Sequence, residues 1–320
     1  TALLITGFGI RDSIQNVVQY QYEEITLYDA TADFTQDMDA SAQAEFLDAH
    51  SSVLDSAIFV SDHTLDCSAG SRVKQAHVVA VQGGSLDGVI DLHTERGEPV
   101  ACPQDGECII SVGLSQSLGV SAGDTLRIRD SQMREMNLKI SGVFVNYVFN
   151  YVYLTPQTYT EQMGLPCEMK TAWLNLNPDT DPYAAAAELT GDSLTTNVAL
   201  NVDLHTRVEN MMKSLDYIVL LVVVCAGALA FIVLYNLTNI NITERVREIA
   251  TVKVLGFYDQ ETNSYVFREN IILTVLGVIV GIPMGIALHA YVMAQIHIDM
   301  IHLDVRITAL SFLISTALTL

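Results

Sequence analysis

The stretch NITERVREIATVKVLGF, residues 241–257, is short, charged and amphipathic, and it lies between two long apolar runs. Residues 217–243 contain no Asp, Glu, Lys or Arg, and neither do residues 270–298. Each run exceeds the roughly 20 residues that a helix needs to cross a hydrocarbon core of about 30 Å. The sequence therefore predicts membrane-spanning helices at 217–240 and 270–294, joined by a structured loop on one side of the membrane.

Acidic residues concentrate in the first two thirds of the chain. Residues 1–210 hold 29 Asp and Glu against 10 Lys and Arg, whereas residues 211–320 hold 8 against 6. This division predicts a soluble, acidic domain joined to a membrane part. An acidic balance argues against binding nucleic acid, because phosphates repel it. It also suits the outside of a cell better than the anionic inner leaflet of a membrane.

The apolar segments divide the chain into three predicted parts. Residues 1–10 read as the end of a first membrane helix, and residues 11–210 as an extracytoplasmic α+β domain with stalk helices. Residues 211–320 form the transmembrane domain, whose third span, 307–320, is truncated. The predicted fold class is thus an α+β extracytoplasmic domain on helical stalks, joined to an all-α transmembrane helix bundle.

Local patterns place the elements of the outer domain. Apolar residues recur at helical spacing in 11–28 and in 205–216, and both segments adjoin apolar spans without a breaker, which predicts the two stalks. Alternating and β-branched runs predict strands, and Ala-rich or Pro-initiated runs predict short helices. The predicted strands are 57–60, 73–82, 109–112, 125–129, 136–144, 147–154 and 173–176, and the predicted helices are 42–50, 113–118, 156–163 and 183–189.

Basic residues decide the orientation. The loop 244–269 holds four of them, whereas the loop 295–306 holds Arg306 alone. The positive-inside rule therefore places 244–269 in the cytoplasm and the acidic domain outside. The four basic residues of the first loop are Arg245, Arg247, Lys253 and Arg268.

Glycines in the second long span are spaced four residues apart, at Gly277, Gly281 and Gly285. Small residues at this spacing let a neighbouring helix approach closely, since lipid supplies no hydrophobic force for association. The alternative is that Gly is simply common in membrane helices. Pro283 lies among them, and we expect it to kink the helix.

The cysteines allow two interpretations. Cys225 falls in a membrane span, while the other four lie in the acidic domain, where an even number outside the cell permits disulfides. Cys102 and Cys108 flank a turn-rich loop that a bridge would close, and Cys67 and Cys167 complete the set. Reduced thiols are the alternative, and the spacing is not that of a zinc site.

The sequence motifs of nucleotide hydrolysis and of zinc proteases are missing. No Gly-Lys-Ser/Thr or HExxH pattern occurs, and we expect neither ATPase nor other enzymatic activity in this chain, and no cofactor. The loop between the last two spans carries four residues of metal-ligating type. Their spacing matches no metal motif, and polar residues near lipid head groups explain them equally well, so no metal site is predicted. These residues are His297, Asp299, His302 and Asp304.

The charged stretch carries a family resemblance. The run ERVREIA at residues 244–250, followed by KVLGF at residues 253–257, resembles the cytoplasmic loop of FtsX/MacB-type ABC transporter permeases. Within the outer domain, LGVSAGDT at residues 118–125 and the strand ending at Gly142 are similar to the extracytoplasmic domain of the same permeases. The resemblance covers most of the chain and is most specific in the loop.

This resemblance implies a four-helix, multi-pass permease in a bacterial cell membrane, with the large domain between its first two helices. It further implies a separate ABC ATPase subunit in the cytoplasm and a second permease copy or second FtsX-like half. The loop helix would be the coupling helix that docks on the ATPase, unless it is a basic loop that merely fixes topology. The residues expected to couple are Glu244, Arg245, Arg247, Glu248, Ile249, Lys253, Leu255 and Gly256.

Two functions share these residues. The first is a transporter that exports or extracts lipid, lipoprotein or peptide, using ATP hydrolysed by the partner to move the outer domain. The second is a mechanotransmitter that moves no substrate and instead switches a cell-wall hydrolase or a signalling partner. A purely structural or adhesive membrane protein would not need the charged loop helix. The sequence does not distinguish the first two.

Overall fold

The computed structural model describes residues 1–82, 86, 88–254, 259–295, 302 and 307–319. The chain separates into two compact units. A mixed unit consists of residues 17–209 together with 298–302, and a helical unit consists of residues 1–16, 210–297 and 303–320. The elements in chain order are α1 (Ala2–Gln19), a π-helix (Tyr20–Ile25), β1 (Ala30–Phe34), α2 (Ala40–Ala49), β2 (Leu54–Ala69), β3 (Arg72–Val81), β4 (Glu107–Ser111), α3 (Val112–Leu118), β5 (Thr125–Arg129), β6 (Glu135–Phe144), β7 (Tyr151–Leu154), α4 (Pro156–Met163), β8 (Thr171–Leu176), α5 (Pro182–Thr190), β9 (Thr195–Leu200), α6 (Asn201–Glu244), α7 (Val246–Val254), α8 (Asp259–Gln295) and α9 (Ala309–Thr319).

One half of the mixed unit is a β-α-β-β-α-β arrangement. Its strands pair antiparallel in the order β2-β8-β1-β9, and α2 and α5 are its helices. Asp39 begins α2 by accepting hydrogen bonds from the backbone N–H groups of Ser41 and Ala42, as an N-cap should. The core between helices and sheet includes Phe34, whose ring centroid lies 5.1 Å from that of Phe46.

A closed ring of strands is inserted between β2 and β8. The order β3-β7-β4-β6-β5-β2 closes because β3 also pairs with β2 along Val60–Ala69. Alternate residues of β5 and β6 point into this barrel and are fully buried, which is the period of two expected of a strand with one face in a core. These residues are Leu126, Ile128, Met136, Leu138 and Ile140.

Most predicted elements of this unit are confirmed, although four strands differ. The strands β1 and β9 were not predicted, because their buried positions are mainly small or polar residues scattered among Asp, Thr and Asn. The strand predicted at 57–60 extends over Leu54–Ala69, since both the four-stranded sheet and the barrel use it. The strand predicted at 147–154 begins only at Tyr151.

The helical segments also differ in their bounds. The first stalk was predicted as helix to residue 28, but the π-helix ends at Ile25 and Thr26 is extended. The second stalk is confirmed, as α6 runs unbroken for 44 residues. Helix α8 begins at Asp259, so the predicted loop 244–269 is shorter than expected. No Gly or Pro interrupts 259–269, and the helix therefore continues through it.

Two segments are long and apolar enough to cross a membrane, namely Leu220–Glu244 of α6 and Thr274–Gln295 of α8. Their faces are largely exposed apolar side chains, including Leu221, Phe231 and Ile279. Exposure of this extent on a helix suits a hydrocarbon environment rather than water. The apolar helix α9 is shorter.

The cysteines are reduced thiols throughout the structure. Cys67 and Cys108 belong to the barrel core and are fully buried, whereas Cys102 is half-buried. Burial raises the pKa of the Cys108 thiol to about 12 and also raises the pKa of Cys67. The bridge between Cys102 and Cys108, which the sequence left open, is not formed.

Candidate functional site

The charged stretch folds as a short helix between the two long ones. Helix α6 ends at Glu244, Arg245 occupies a turn, and α7 then runs from Val246 to Val254. We call residues 244–254 the coupling segment. The turn breaks the helix without Gly or Pro, so that α7 is a separate element and not an extension of α6.

The coupling segment exposes charge and apolar surface together. Glu244, Arg247 and Glu248 are exposed, while Arg245 is half-buried and has interaction partners within the chain. Val246 and Val254 expose 53% and 87% of their surfaces. Adjacent charges of both signs and exposed valines are what a protein interface offers, because the apolar groups lose water on docking and the charges set the orientation.

The remaining predicted coupling residues are placed only in part. Ile249 and Lys253 lie in α7, but the structure describes their backbone alone. Leu255 and Gly256 lie outside the described residues. The predicted roles of all these residues, including a cap by Gly256, stay predictions.

The three glycines of α8 have different surroundings. A Cβ added at Gly281 would come within 2.8 Å of the Thr1 Cβ, and one at Gly285 within 2.9 Å of the Ile5 Cβ. At Gly277 it would meet no atom of the described residues within 4 Å. Helix α1 therefore lies against α8 at the second and third glycines, and close packing at Gly277 stays a prediction.

A polar cluster joins α1 to α8 and α9, and sequence reasoning missed it. The Ser13 hydroxyl lies 3.3 Å from Nε2 of His289, and both residues are buried. The preceding residue, Asp12, accepts hydrogen bonds at its Oδ2 from the backbone N–H and the hydroxyl of Thr308, at 2.9 and 2.8 Å. Asp12 thus holds the residue that directly precedes α9. The sequence signal for this contact was a polar side chain, His289, within an apolar run.

Metal-binding geometry does not occur among the described residues, where no three His, Cys, Asp or Glu side chains converge. Three residues of the loop set noted in the sequence, His297, Asp299 and Asp304, lie outside the described part. His302 is described, and its ring stacks on that of Tyr147 with centroids 6.2 Å apart.

Residues 220–320 match the family model described as the FtsX-like permease C-terminal domain. This part of the chain is similar to the FtsX-like permease C-terminal family. The match begins at the first residue of the apolar part of α6 and extends through α7, α8 and α9, so the coupling segment lies within it, between the two segments long enough to cross a membrane. Among curated proteins none matches the chain.

Three solved structures are similar to the chain at low identity. The periplasmic region of MacB from Actinobacillus actinomycetemcomitans is 10% identical, covers 58% of this chain and 94% of its own, and has a TM-score of 0.37. The extracellular domain of the ABC-type transporter YknZ from Gram-positive bacteria is 11% identical over 53% and 98%, with a TM-score of 0.34. A permease domain from Porphyromonas gingivalis is 14% identical over 56% and 90%, with a TM-score of 0.32. Likenesses at this level are too weak to carry functional meaning.

Proposed function

We propose that this chain is the permease subunit of an ABC transporter in a bacterial cell membrane. It couples ATP hydrolysis by a separate cytoplasmic ATPase subunit to movement of the mixed unit, which lies outside the cell. The observation that carries the proposal is the coupling segment, a separate helix with exposed charges and valines between two membrane-length helices of a permease domain.

Helix α6 supplies the mechanical connection. It runs from Asn201 to Glu244 as a single helix of 44 residues, which at about 1.5 Å per residue is roughly 66 Å long. Its last residue, Glu244, is also the first residue of the coupling segment, and its first residue follows β9 directly. A displacement that the ATPase imposes on α7 passes through the turn at Arg245 into α6, and along the backbone hydrogen bonds of α6 to β9.

The proposed orientation and cargo rest on patterns in the sequence. Four basic residues in 244–269 against one in 295–306 favour a cytoplasmic coupling segment. The family resemblance suggests a second permease copy or second FtsX-like half, and export or extraction of lipid, lipoprotein or peptide. A mechanotransmitter that switches an outer partner would use the same coupling, and the two are separated by whether a substrate leaves the membrane.

Charge reversal tests the coupling. The double variant Arg245→Glu and Arg247→Glu should lose stimulation of the copurified ATPase in reconstituted vesicles, because two cationic contacts become repulsive. The matched control is Arg72→Glu with Arg127→Glu, which makes the same change in net charge at two exposed positions of the mixed unit. Unchanged stimulation in the first variant, with normal membrane insertion, would refute the assignment of the coupling segment.

A further inference from the structure

A short irregular segment between β6 and β7 contacts three distant parts of the mixed unit. We call residues 145–150, VNYVFN, the junction loop. It contacts the π-helix after α1, the strand β3, and His302 in the connection between α8 and α9. Each contact uses hydrogen bonds to the loop backbone, so the loop cannot shift without breaking them.

Gln21 makes the contact from the π-helix. Its Nε2 donates to Thr26 Oγ1 at 2.9 Å and to Asn146 Oδ1 at 3.0 Å. Its Oε1 accepts from the backbone N–H groups of Tyr147 and Val148, at 2.8 and 3.2 Å. Both donors and both acceptor sites of the amide are therefore used, and the side chain is buried, with 4% of its surface exposed. A fully satisfied buried amide specifies one arrangement of the groups around it.

The loop backbone is held in an unfavourable shape. Phe149 has φ +63°, in the left-handed region that bulky residues rarely adopt. Asn146 Nδ2 stabilises this turn by donating to the carbonyls of Val148 and Phe149, at 2.6 and 3.1 Å. On the strand side, the backbone N–H of His77 donates to the carbonyl of Asn150 at 2.8 Å. The strained turn persists because its neighbours fix it from both sides.

His302 makes the third contact. Its backbone N–H donates to the carbonyl of Tyr147 at 2.7 Å, and the two rings stack. The backbone N–H of Tyr147 thus donates to Gln21, and its carbonyl accepts from His302. A hydrogen-bonded path of three residues, Gln21, Tyr147 and His302, therefore links the π-helix to His302. Gln21 and Tyr147 are 126 positions apart in the sequence.

We propose that Gln21 is a positioning residue that couples the π-helix to His302 through the junction loop. The proposal rests on the proposed function, in which the mixed unit moves during the ATP cycle, and it adds a route of coupling that does not use α6. The π-helix supports it, because such turns are rare and concentrate at functional positions. When the π-helix moves, Gln21 carries Tyr147 with it, and Tyr147 carries His302.

The test compares one substitution at two positions of the full-length protein with its ATPase. Gln21→Met keeps the length of the side chain and removes all four hydrogen bonds. Gln19→Met is the matched control, since Gln19 is exposed and its side chain donates to the exposed Glu23. Hydrogen exchange of individual backbone amides is measured without nucleotide and in a trapped nucleotide state.

We expect Gln21→Met to accelerate exchange at Tyr147 and Val148 about tenfold, the factor that accompanies loss of one hydrogen bond worth about 1.4 kcal/mol. The decisive readout is the amide of His302, which Gln21 does not touch. It should also exchange faster, and it should lose any response to nucleotide. Gln21→Glu, which keeps the oxygen that accepts from Tyr147 and Val148, should restore part of the protection.

The outcomes separate this inference from the proposed function. If His302 exchanges in Gln21→Met as it does in Gln19→Met, the coupling through the junction loop is refuted. If His302 loosens but the unsubstituted protein shows no nucleotide response, the loop contact stands and the ATP-driven motion fails. If Gln21→Met does not fold, Thr26→Val is measured instead, since it removes a single hydrogen bond to Gln21. Unchanged exchange at His302 in Thr26→Val would then also refute the coupling.

Discussion

Gly277 and Gly285 are two turns apart in α8, and among the described residues only Gly285 lies close to another helix. A Cβ at Gly285 would lie 2.9 Å from the Ile5 Cβ and 3.1 Å from the carbonyl oxygen of Ala2. Ile5 is fully buried and Ala2 contributes backbone, so neither can move aside cheaply. A Cβ at Gly277 meets no described atom within 4 Å. The same Gly→Ala change at the two positions therefore isolates the packing of α1 on α8.

The expected magnitudes follow from two opposing effects. Alanine is better than glycine in a helix interior by about 1 kcal/mol, and this gain is the same at both positions. Overpacking a close contact costs about 1–3 kcal/mol, and it applies at Gly285 alone. We therefore expect Gly277→Ala to be neutral or stabilising by up to about 1 kcal/mol, and Gly285→Ala to be less stable than Gly277→Ala by about 1–3 kcal/mol.

The assay is unfolding of the full-length protein in detergent micelles, followed by helical circular dichroism during titration with a denaturing detergent. Both variants and the unsubstituted protein are compared at one protein concentration. If Gly285→Ala proves as stable as Gly277→Ala, the contact between Ile5 and α8 does not exist in the membrane, and the packing of α1 described above is wrong.

Two further predictions concern ionisable groups of the mixed unit. The hydrogen bond from His77 Nδ1 to Asp62, at 3.0 Å, raises the pKa of His77, so its stabilising effect is complete below the unfolded value of about 6.5 and is lost as the pH rises through the raised folded pKa. Asp62→Asn should therefore lower the unfolding midpoint more at pH 6 than at pH 9, and an equal loss at both would contradict the ion pair. Burial raises the pKa of Cys108 to about 12, so this thiol should resist a maleimide at pH 7.5 until the protein is denatured. The half-buried Cys102 should react in the native state. Labelling of the two peptides is followed by mass spectrometry, and equal rates would show that the barrel is open.

Hydrophobic periodicity is sufficient to predict a strand wherever large apolar residues alternate with polar ones. The hairpin of β5 and β6 could be predicted because Leu126, Ile128, Met136 and Leu138 are large, apolar and two residues apart. In β1 the same alternation is carried by Ala30, Ala32 and Phe34, and the two alanines do not stand out from their surroundings. Tertiary contact with β8 and β9 decides that segment, so no local pattern could reveal it.

Long-range partners account for what was missed near the site. The run beginning at Tyr147 has the composition of a strand, but the N–H groups of Tyr147 and Val148 bond to Gln21 instead of a neighbouring strand. The coupling segment could be found from its charges, because they separate two apolar runs that are each long enough to span a membrane. Which glycines of α8 are in contact depends on where α1 crosses, and spacing does not contain that information.

The double use of β2 has an architectural consequence. Val60 is the last residue of β2 to pair with β8, and its partner there is Thr171, the first residue of β8. The chain therefore leaves the four-stranded sheet and re-enters it at adjacent points, with the whole barrel in between. Replacing residues 61–170 by a two-residue turn such as Asn-Gly would rejoin β2 to β8 as an ordinary hairpin. The barrel is therefore an inserted domain. Another domain could be inserted at the same point if its two ends lie as close together as Val60 and Thr171.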